Sequence, residues 1–278
     1  MRYAVLVTGP AGSGKTTLCG ALIAHAQTLG RSVHLFNLDP AAEHFDYQPS
    51  IDVKDLISLD EVMEDLQMGP NGGLIYCFEY LLQNMDWLDA SMGDYEDDFL
   101  IVDCPGQIEL YTHIPLIPRL VAQLNQLNVR MCALYLIESQ FMEDTAKYFS
   151  GVLSAMSCMI NLELPHLNLM TKMDLVKSSR ESRGAKPRQL ERYLEADPML
   201  LTDEINAKTN PKFHALNETL VDLIQEYSMV SFLPVDASDE ESLTVLLSHI
   251  DNVLQYGENE EVKEPKDLDG GDFPEEED

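Results

Sequence analysis

Positive charge is what this sequence has least of. Lysine and arginine together number 18 against 48 aspartates and glutamates, for a net charge of −30 over 278 residues. A surface of that sign repels phosphate backbones, so direct nucleic-acid binding is excluded except through a local basic patch. Cysteine is sparse as well. Cys19, Cys77, Cys104, Cys132 and Cys158 are odd in number, scattered and never spaced Cys-x-x-Cys. This excludes a disulfide framework and a zinc site, and predicts buried reduced thiols in a reducing compartment. No apolar run reaches membrane-spanning length. The chain passes directly into an apolar strand, leaving no room for a cleavable signal. A soluble cytoplasmic protein with no membrane partner is expected.

What is present is alternation. Short apolar runs alternate with longer helical patterns, the signature of an α/β fold with a parallel sheet flanked by helices. Strands are predicted at Ala4–Thr8, Val33–Leu38, Phe99–Val102, Met131–Ile137, Leu167–Met170 and Phe232–Val235. Helices are predicted at Lys15–Leu29, Ile114–Leu127, Asp144–Ile160 and Glu240–Leu254, the last opened by the capping box Ser238-x-x-Glu241. Residues 40–98 carry a helix behind a second box, Ser58-x-x-Glu61, and another around Ile75–Leu88. That second helix has too many large apolar residues for one stripe, so it either serves two faces or is wholly internal.

Stretches 40–98 and 175–228 exceed what a crossover needs and read as helical insertions on a single core domain, residues 1–256. The second contains the one basic concentration, Lys177, Arg180, Arg183, Lys186, Arg188 and Arg192, read as a solvated insertion. Residues 257–278 are acidic with few apolar side chains, too few to offset their ordering entropy, and are expected to be a disordered tail.

Three motifs carry chemistry. Gly9-Pro-Ala-Gly12-Ser13-Gly14-Lys15-Thr16 follows the first strand and precedes a helix, matching the phosphate-loop pattern of glycine, four residues, then Gly-Lys-Thr. Its glycines let backbone N–H groups from Gly12 to Thr17 curl around an oxyanion, and Lys15 reaches the outer phosphates. The Thr16 hydroxyl is offered to Mg²⁺, the expected cofactor. Asp103 closes the buried run Phe99–Val102 and would hold the same ion, with Gly106 free to meet a γ-phosphate.

Thr171-Lys172-Met173-Asp174 follows another buried strand. Guanine shows N1–H and N2–H₂ side by side, so the one Asp174 carboxylate accepts both, whereas adenine would leave it unsatisfied. The Lys172 stem can lie along the base plane. The segment resembles the Asn/Thr-Lys-x-Asp base-reading element of GTPases, in which Thr171 replaces the usual asparagine, a shorter link back to the phosphate loop that is expected to loosen the site. Ala237, after the last strand, is placed for its N–H to meet guanine O6.

These motifs coexist with Asn37-Leu-Asp39-Pro-Ala-Ala-Glu43, Gly69-Pro70-Asn71 and Asp103-Cys-Pro-Gly-Gln107-Ile-Glu109-Leu-Tyr-Thr-His113. Together they closely resemble the GPN-loop GTPases over the chain to about Gly257. The resemblance implies a P-loop NTPase three-layer sandwich with a mostly parallel sheet. It implies a dimer in which the Gly-Pro-Asn loop reaches across, so that Asn71 donates toward the partner's γ-phosphate. Asp39 would position the attacking water or the Mg²⁺ shell, and Gln107 and Glu109 would hold that water in line. The implied partner is a paralogous GPN-loop GTPase or a second copy of the chain. The implied task is assembly and nuclear import of RNA polymerase II, with shuttling to the nucleus. Two other readings stay open: a scaffold that holds GTP and hydrolyses little, and a small-molecule kinase, against which Thr171–Asp174 argues.

Overall fold

The computed structural model describes residues 2–42, 45, 47–93, 99–112, 114–176, 187–200, 210–226 and 230–257. Its strands are β1 (Arg2–Thr8), β2 (Val33–Asn37), β3 (Ile51–Asp52), β4 (Phe99–Asp103), β5 (Val129–Glu138), β6 (His166–Thr171) and β7 (Phe232–Pro234). They form one sheet in the order β3-β2-β4-β1-β5-β6-β7, with every pairing parallel. The described helices are α1 (Lys15–Thr28), α2 (Leu59–Leu66), α3 (Pro70–Gln83), α4 (Met85–Met92), α5 (Glu109–Thr112), α6 (Leu116–Gln126), α7 (Thr145–Leu162), α8 (Pro187–Leu194), α9 (His214–Glu226) and α10 (Glu240–Leu254). No described helix is long and apolar enough to cross a membrane.

The strands read as continuous apolar runs because helices cover both faces of the sheet. Successive side chains of β1 alternate between two cores. Tyr3, Val5 and Val7 join Leu18, Leu22 and Ile23 of α1 and Leu246, Leu247 and Ile250 of α10. Ala4 and Leu6 join the core built with Phe78 and Leu81 of α3, Leu120 of α6 and Val152 of α7. The result is the three-layer α/β sandwich of P-loop NTPases. Arg31, just past α1, ties that end of the helix to α10. Its guanidinium donates to both Asp251 oxygens, at 2.7 and 2.6 Å, and lies 4.8 Å from the Tyr256 ring centre. All five cysteines are buried and free.

Strand order places the chemistry. After β4 the chain crosses from one side of β1 to the other, which opens a crevice at the C-terminal ends of these strands. Register Val7↔Asp103 sets the β4 carboxylate beside the strand end from which the phosphate loop departs. Within 40–98 the short strand β3 pairs with β2 at the sheet edge, an element too brief for the sequence pattern to show.

Two local expectations need correction. The helix expected at Ile75–Leu88 begins earlier, at Pro70, and is broken at Asn84, whose non-helical φ of −120° and ψ of 41° separate α3 from α4. Asn84 Nδ2 turns back to the Tyr80 carbonyl at 2.8 Å, the local competition with helix geometry typical of asparagine. The cap of α10 is Asp239, not Ser238, whose hydroxyl is drawn to Asp236 Oδ1 at 2.6 Å. By contrast Ser58 does cap α2, accepting from Glu61 N at 3.3 Å. Lys177, Arg180, Arg183, Lys186 and the acidic tail past Gly257 lie outside the described residues, whereas Arg192 pairs with Asp197 at 2.6 Å.

Candidate functional site

Gly9, Gly12 and Gly14 hold φ of +136°, +79° and +88°, a region that side chains disfavour, and together they curl the backbone between β1 and α1. A Cβ on Gly9 would lie 2.5 Å from the Leu136 carbonyl oxygen. Gly14 caps α1 without a side chain, so the first helical N–H groups remain available to an anion. Ser13 is buried, its hydroxyl without a partner among the described residues. Lys15, also buried, folds its ammonium onto the loop, donating to Pro10 O at 3.1 Å. Burial lowers its pKa, while the Asp103 carboxylate acts in the opposite sense.

Next to the loop, Thr16 Oγ1 donates to Asp103 Oδ2 at 2.6 Å. Burial raises the Asp103 pKa to about 6, against the stabilising hydrogen bond from Thr16 and the charge of Lys15. The other oxygen, Oδ1, is buried and has no hydrogen-bond partner among the described residues. A hydroxyl and an unsatisfied carboxylate oxygen are hard donors that suit Mg²⁺. No described group of three or more His, Cys, Asp or Glu side chains could hold a metal by itself, so such an ion needs phosphate or water oxygens to complete its shell.

Gly106 stands directly on the phosphate loop. A Cβ there would meet Ala11 Cα at 2.9 Å, so only glycine lets the turn approach this closely. Buried Tyr111 holds the turn from behind, its hydroxyl donating to the Pro105 carbonyl. On the other flank, fully buried Asn37 organises Asp39. Asn37 Nδ2 donates to Asp39 O at 3.0 Å and to Asp52 Oδ1 at 2.8 Å, and Asn37 Oδ1 accepts from Asp39 N at 3.0 Å. Asp39 Oδ1 accepts from Ala41 N at 2.9 Å, and burial raises the Asp39 pKa.

The Thr171–Asp174 segment and the Ala237 loop enclose a cleft of about 300 Å³ whose lining includes Gly14, Thr17, Thr171, Lys172, Asp174 and Ala237. Thr171 Oγ1 donates to Ser13 O at 2.7 Å and lies 3.2 Å from Ile137 O. The shorter side chain still makes the link to the phosphate loop. Lys172 adopts φ +58° and its ammonium meets Glu138 Oε2 at 2.7 Å. Asp174 is exposed at the cleft's lip. The Ala237 loop is fixed by Asp236 Oδ1, which accepts from Ser238 N at 3.1 Å, and by Asp236 N donating to Ser242 Oγ at 3.1 Å.

Gly14, Thr17, Thr171, Lys172, Asp174 and Ala237 thus share the cleft, joined to the phosphate loop through the Thr171–Ser13 contact, and the Thr16–Asp103 pair stands at the loop's other flank. Gln107 and Glu109 are exposed. Gly69, Pro70 and Asn71 are exposed too; Gly69 is the cap of α3, and Pro70 and Asn71 form its first turn. The Asn71 side chain has no hydrogen-bond partner among the described residues.

Some contributors escaped the sequence reading, notably Asn37, Asp52, Tyr111 and Glu138. A common signal exists for three of them. β2, β3, β4, β5 and β6 end on Asn37, Asp52, Asp103, Glu138 and Thr171, a polar residue closing each strand.

A family model described as "Conserved hypothetical ATP binding protein" matches residues 7–256. The chain is 66% identical to GPN-loop GTPase 3 of Mycosarcoma maydis, covering 98% of both chains. The chain belongs to the GPN-loop GTPases. GPN-loop GTPase 3 of Schizosaccharomyces pombe is 52% identical over the whole of both chains. That of Saccharomyces cerevisiae is 52% identical over 96% of this chain and 97% of its own. Among solved structures, a GTPase from Pyrococcus abyssi in its apo form superposes with a TM-score of 0.68 at 22% identity, covering 90% of this chain and 97% of that one. That likeness is one of fold. Gly69-Pro70-Asn71, the tripeptide of the family's name, forms in this GPN-loop GTPase the cap and the exposed start of α3.

Proposed function

We propose that this chain binds GTP with Mg²⁺ in the crevice between the phosphate loop and Thr171–Asp174, and hydrolyses it as a dimeric switch. One contact carries the reading. The Thr171 hydroxyl on the Ser13 carbonyl joins the base-reading segment to the phosphate loop, so one ligand carrying both a base and phosphates spans them. The family model's description speaks of ATP. The Asp174 carboxylate at the cleft lip argues for guanine, which alone offers it two adjacent donors.

Thr16 and Asp103 would hold Mg²⁺, which when bound neutralises phosphate charge as the γ-phosphoryl departs. The chain's own groups do the rest. Loop N–H groups and Lys15 cradle the phosphates, Gln107 and Glu109 orient the attacking water, and Asp39 holds the water or the metal's shell. Asn71, exposed and without a side-chain partner among the described residues, donates its amide N–H to the γ-phosphate of the nucleotide on a second subunit. A neutral amide stabilises developing charge less than a guanidinium, so turnover is slow. The partner is a paralogous GPN-loop GTPase or a second copy. Assembly and nuclear import of RNA polymerase II, from a cytoplasmic and shuttling pool, follow from the family resemblance noted above.

The test is phosphate release from GTP and ATP by the chain alone and mixed with a paralogue, with Asn71→Ala in one subunit. The expected result is a preference for GTP and loss of hydrolysis in the partner of the altered subunit. Unchanged hydrolysis there removes the role in trans. A second reading, a GTP-holding scaffold with little hydrolysis, draws on the exposure of Gln107, Glu109 and Asn71 in the single chain. Tight stoichiometric GTP without phosphate release, even with the paralogue, would favour it.

A further inference from the structure

The end of β5 makes a run of contacts that the nucleotide motifs do not account for. Three consecutive residues, Ile137, Glu138 and Ser139, each take hold of the Thr171–Lys172 segment. The Ile137 carbonyl lies 3.2 Å from the Thr171 hydroxyl. Glu138 Oε2 accepts from Lys172 Nζ at 2.7 Å, and the buried Ser139 hydroxyl donates to the Lys172 carbonyl at 2.7 Å. Lys172 is held at both ends of its length, backbone and ammonium.

This bracing has work to do. Lys172 sits at φ +58°, a conformation that is strained for a non-glycine residue and persists only where surrounding contacts enforce it. It lies at the cleft wall two residues before Asp174. An ammonium anchored on Glu138 leaves the four-carbon stem as the part of Lys172 presented to a base, and removes the entropy of a side chain that would otherwise sample many rotamers. The same turn of backbone sets where Asp174 stands. Glu138 is only 19% exposed at its side chain, so its bond to Lys172 is partly shielded from solvent. Lys147 also approaches Glu138, at 4.0 Å, but is 52% exposed and adds little.

We infer that Glu138 and Ser139 are positioning residues for guanine recognition, acting through Lys172 without touching the nucleotide. The inference rests on the GTP reading of the crevice and adds to it the source of the base loop's conformation. A role of this kind weakens guanine nucleotides and leaves the phosphate loop's affinity for the triphosphate alone.

The experiment titrates GTP and ATP into the full chain with Mg²⁺ and compares wild type with Glu138→Gln and Ser139→Ala. Glutamine keeps the size of the side chain and removes its charge. Glu138→Gln is expected to weaken GTP about tenfold with ATP affinity unchanged, so the GTP-to-ATP ratio falls by the same factor. Ser139→Ala is expected to weaken GTP several-fold in the same selective way. In a Lys172→Met background, which retains the stem, Glu138→Gln should add no further loss. Three results overturn the inference: wild-type GTP affinity in both variants, equal loss of GTP and ATP, or an undiminished Glu138→Gln effect in the Lys172→Met background. A wild-type chain that binds ATP as tightly as GTP overturns the guanine reading itself, and this inference with it, and so is distinguishable from the other three.

Discussion

The Thr16 hydroxyl donates to Asp103 across 2.6 Å, joining the first turn of α1 to the last residue of β4. The pair comes from positions 87 apart in sequence, yet it places two oxygen ligands side by side, with Asp103 Oδ1 left buried and unsatisfied. Burial of this carboxylate is a cost carried for binding. Asp103→Asn keeps the acceptor for Thr16 and removes the charge. The nucleotide-free protein should therefore melt no lower than wild type. Stabilisation by Mg²⁺ and GTP, about 2.7 kcal/mol at a hundredfold excess over Kd, should disappear. Thermal melting with and without Mg²⁺-GTP measures both effects.

Thr171 tests the bridge between base and phosphates. Thr171→Val retains the shape but removes the hydroxyl that donates to Ser13 O in that buried contact. A loss of about 1–2 kcal/mol in unfolding free energy is expected, with GTP weakened about tenfold. Thr171→Ser should restore most of both. Urea denaturation and nucleotide titration provide the readouts.

Gly106 is a steric prediction. Any side chain there must displace the Ala11 backbone, 2.9 Å from the added Cβ, or lift the Pro105–Gly106 turn off the phosphate loop. Gly106→Ala should retain GDP, which has no γ-phosphate to sense, and lower phosphate release from GTP at least tenfold. Equal loss of GDP binding would show that the loop, not the turn, had moved.

His166 sets a pH dependence unrelated to the nucleotide. Both ring nitrogens are buried without partners among the described residues, and the ring stacks on Tyr135 at 6.4 Å between centres. Burial lowers its pKa from 6.5 to about 4. The unfolded chain therefore binds the proton first, and stability falls as pH drops from about 6.5 toward 4, by roughly 3 kcal/mol in all. Above that window both states are neutral and the contribution is flat. His166→Phe should flatten the acid limb of melting temperature against pH, compared with wild type in the same buffers.

Elements legible along the chain were those encoded over a few residues. The phosphate loop declared itself because glycine at Gly9, Gly12 and Gly14 is needed wherever φ is positive, and the strand before it and helix after it have their own periods. Asp103 and Thr171 stood out as polar ends of buried strands. Boundaries were less secure. The Ser238 box has the right spacing, yet Asp239 caps the helix because Asp236, two residues earlier, captures the serine. The start of α3 at Pro70 fits proline's preference for a first helical turn, but the apolar pattern that marks the helix begins later, at Leu74.

By itself, then, the sequence determined the alternation of strands and helices, the phosphate loop and the chemical types of the ligands. These follow from local backbone preference and hydrophobic period, which adjacent residues dictate. Only the tertiary structure decided which groups meet. Thr171 reaches Ser13 across 158 residues of sequence, Lys172 finds Glu138 across 34, and Arg31 finds Asp251 across 220. Such pairs depend on strand order and register, which bring distant strand ends to one edge of the sheet, and on the helices that pack side by side over its face. No spacing along the chain encodes that. A hydrogen bond between remote residues exists only after the intervening core has packed.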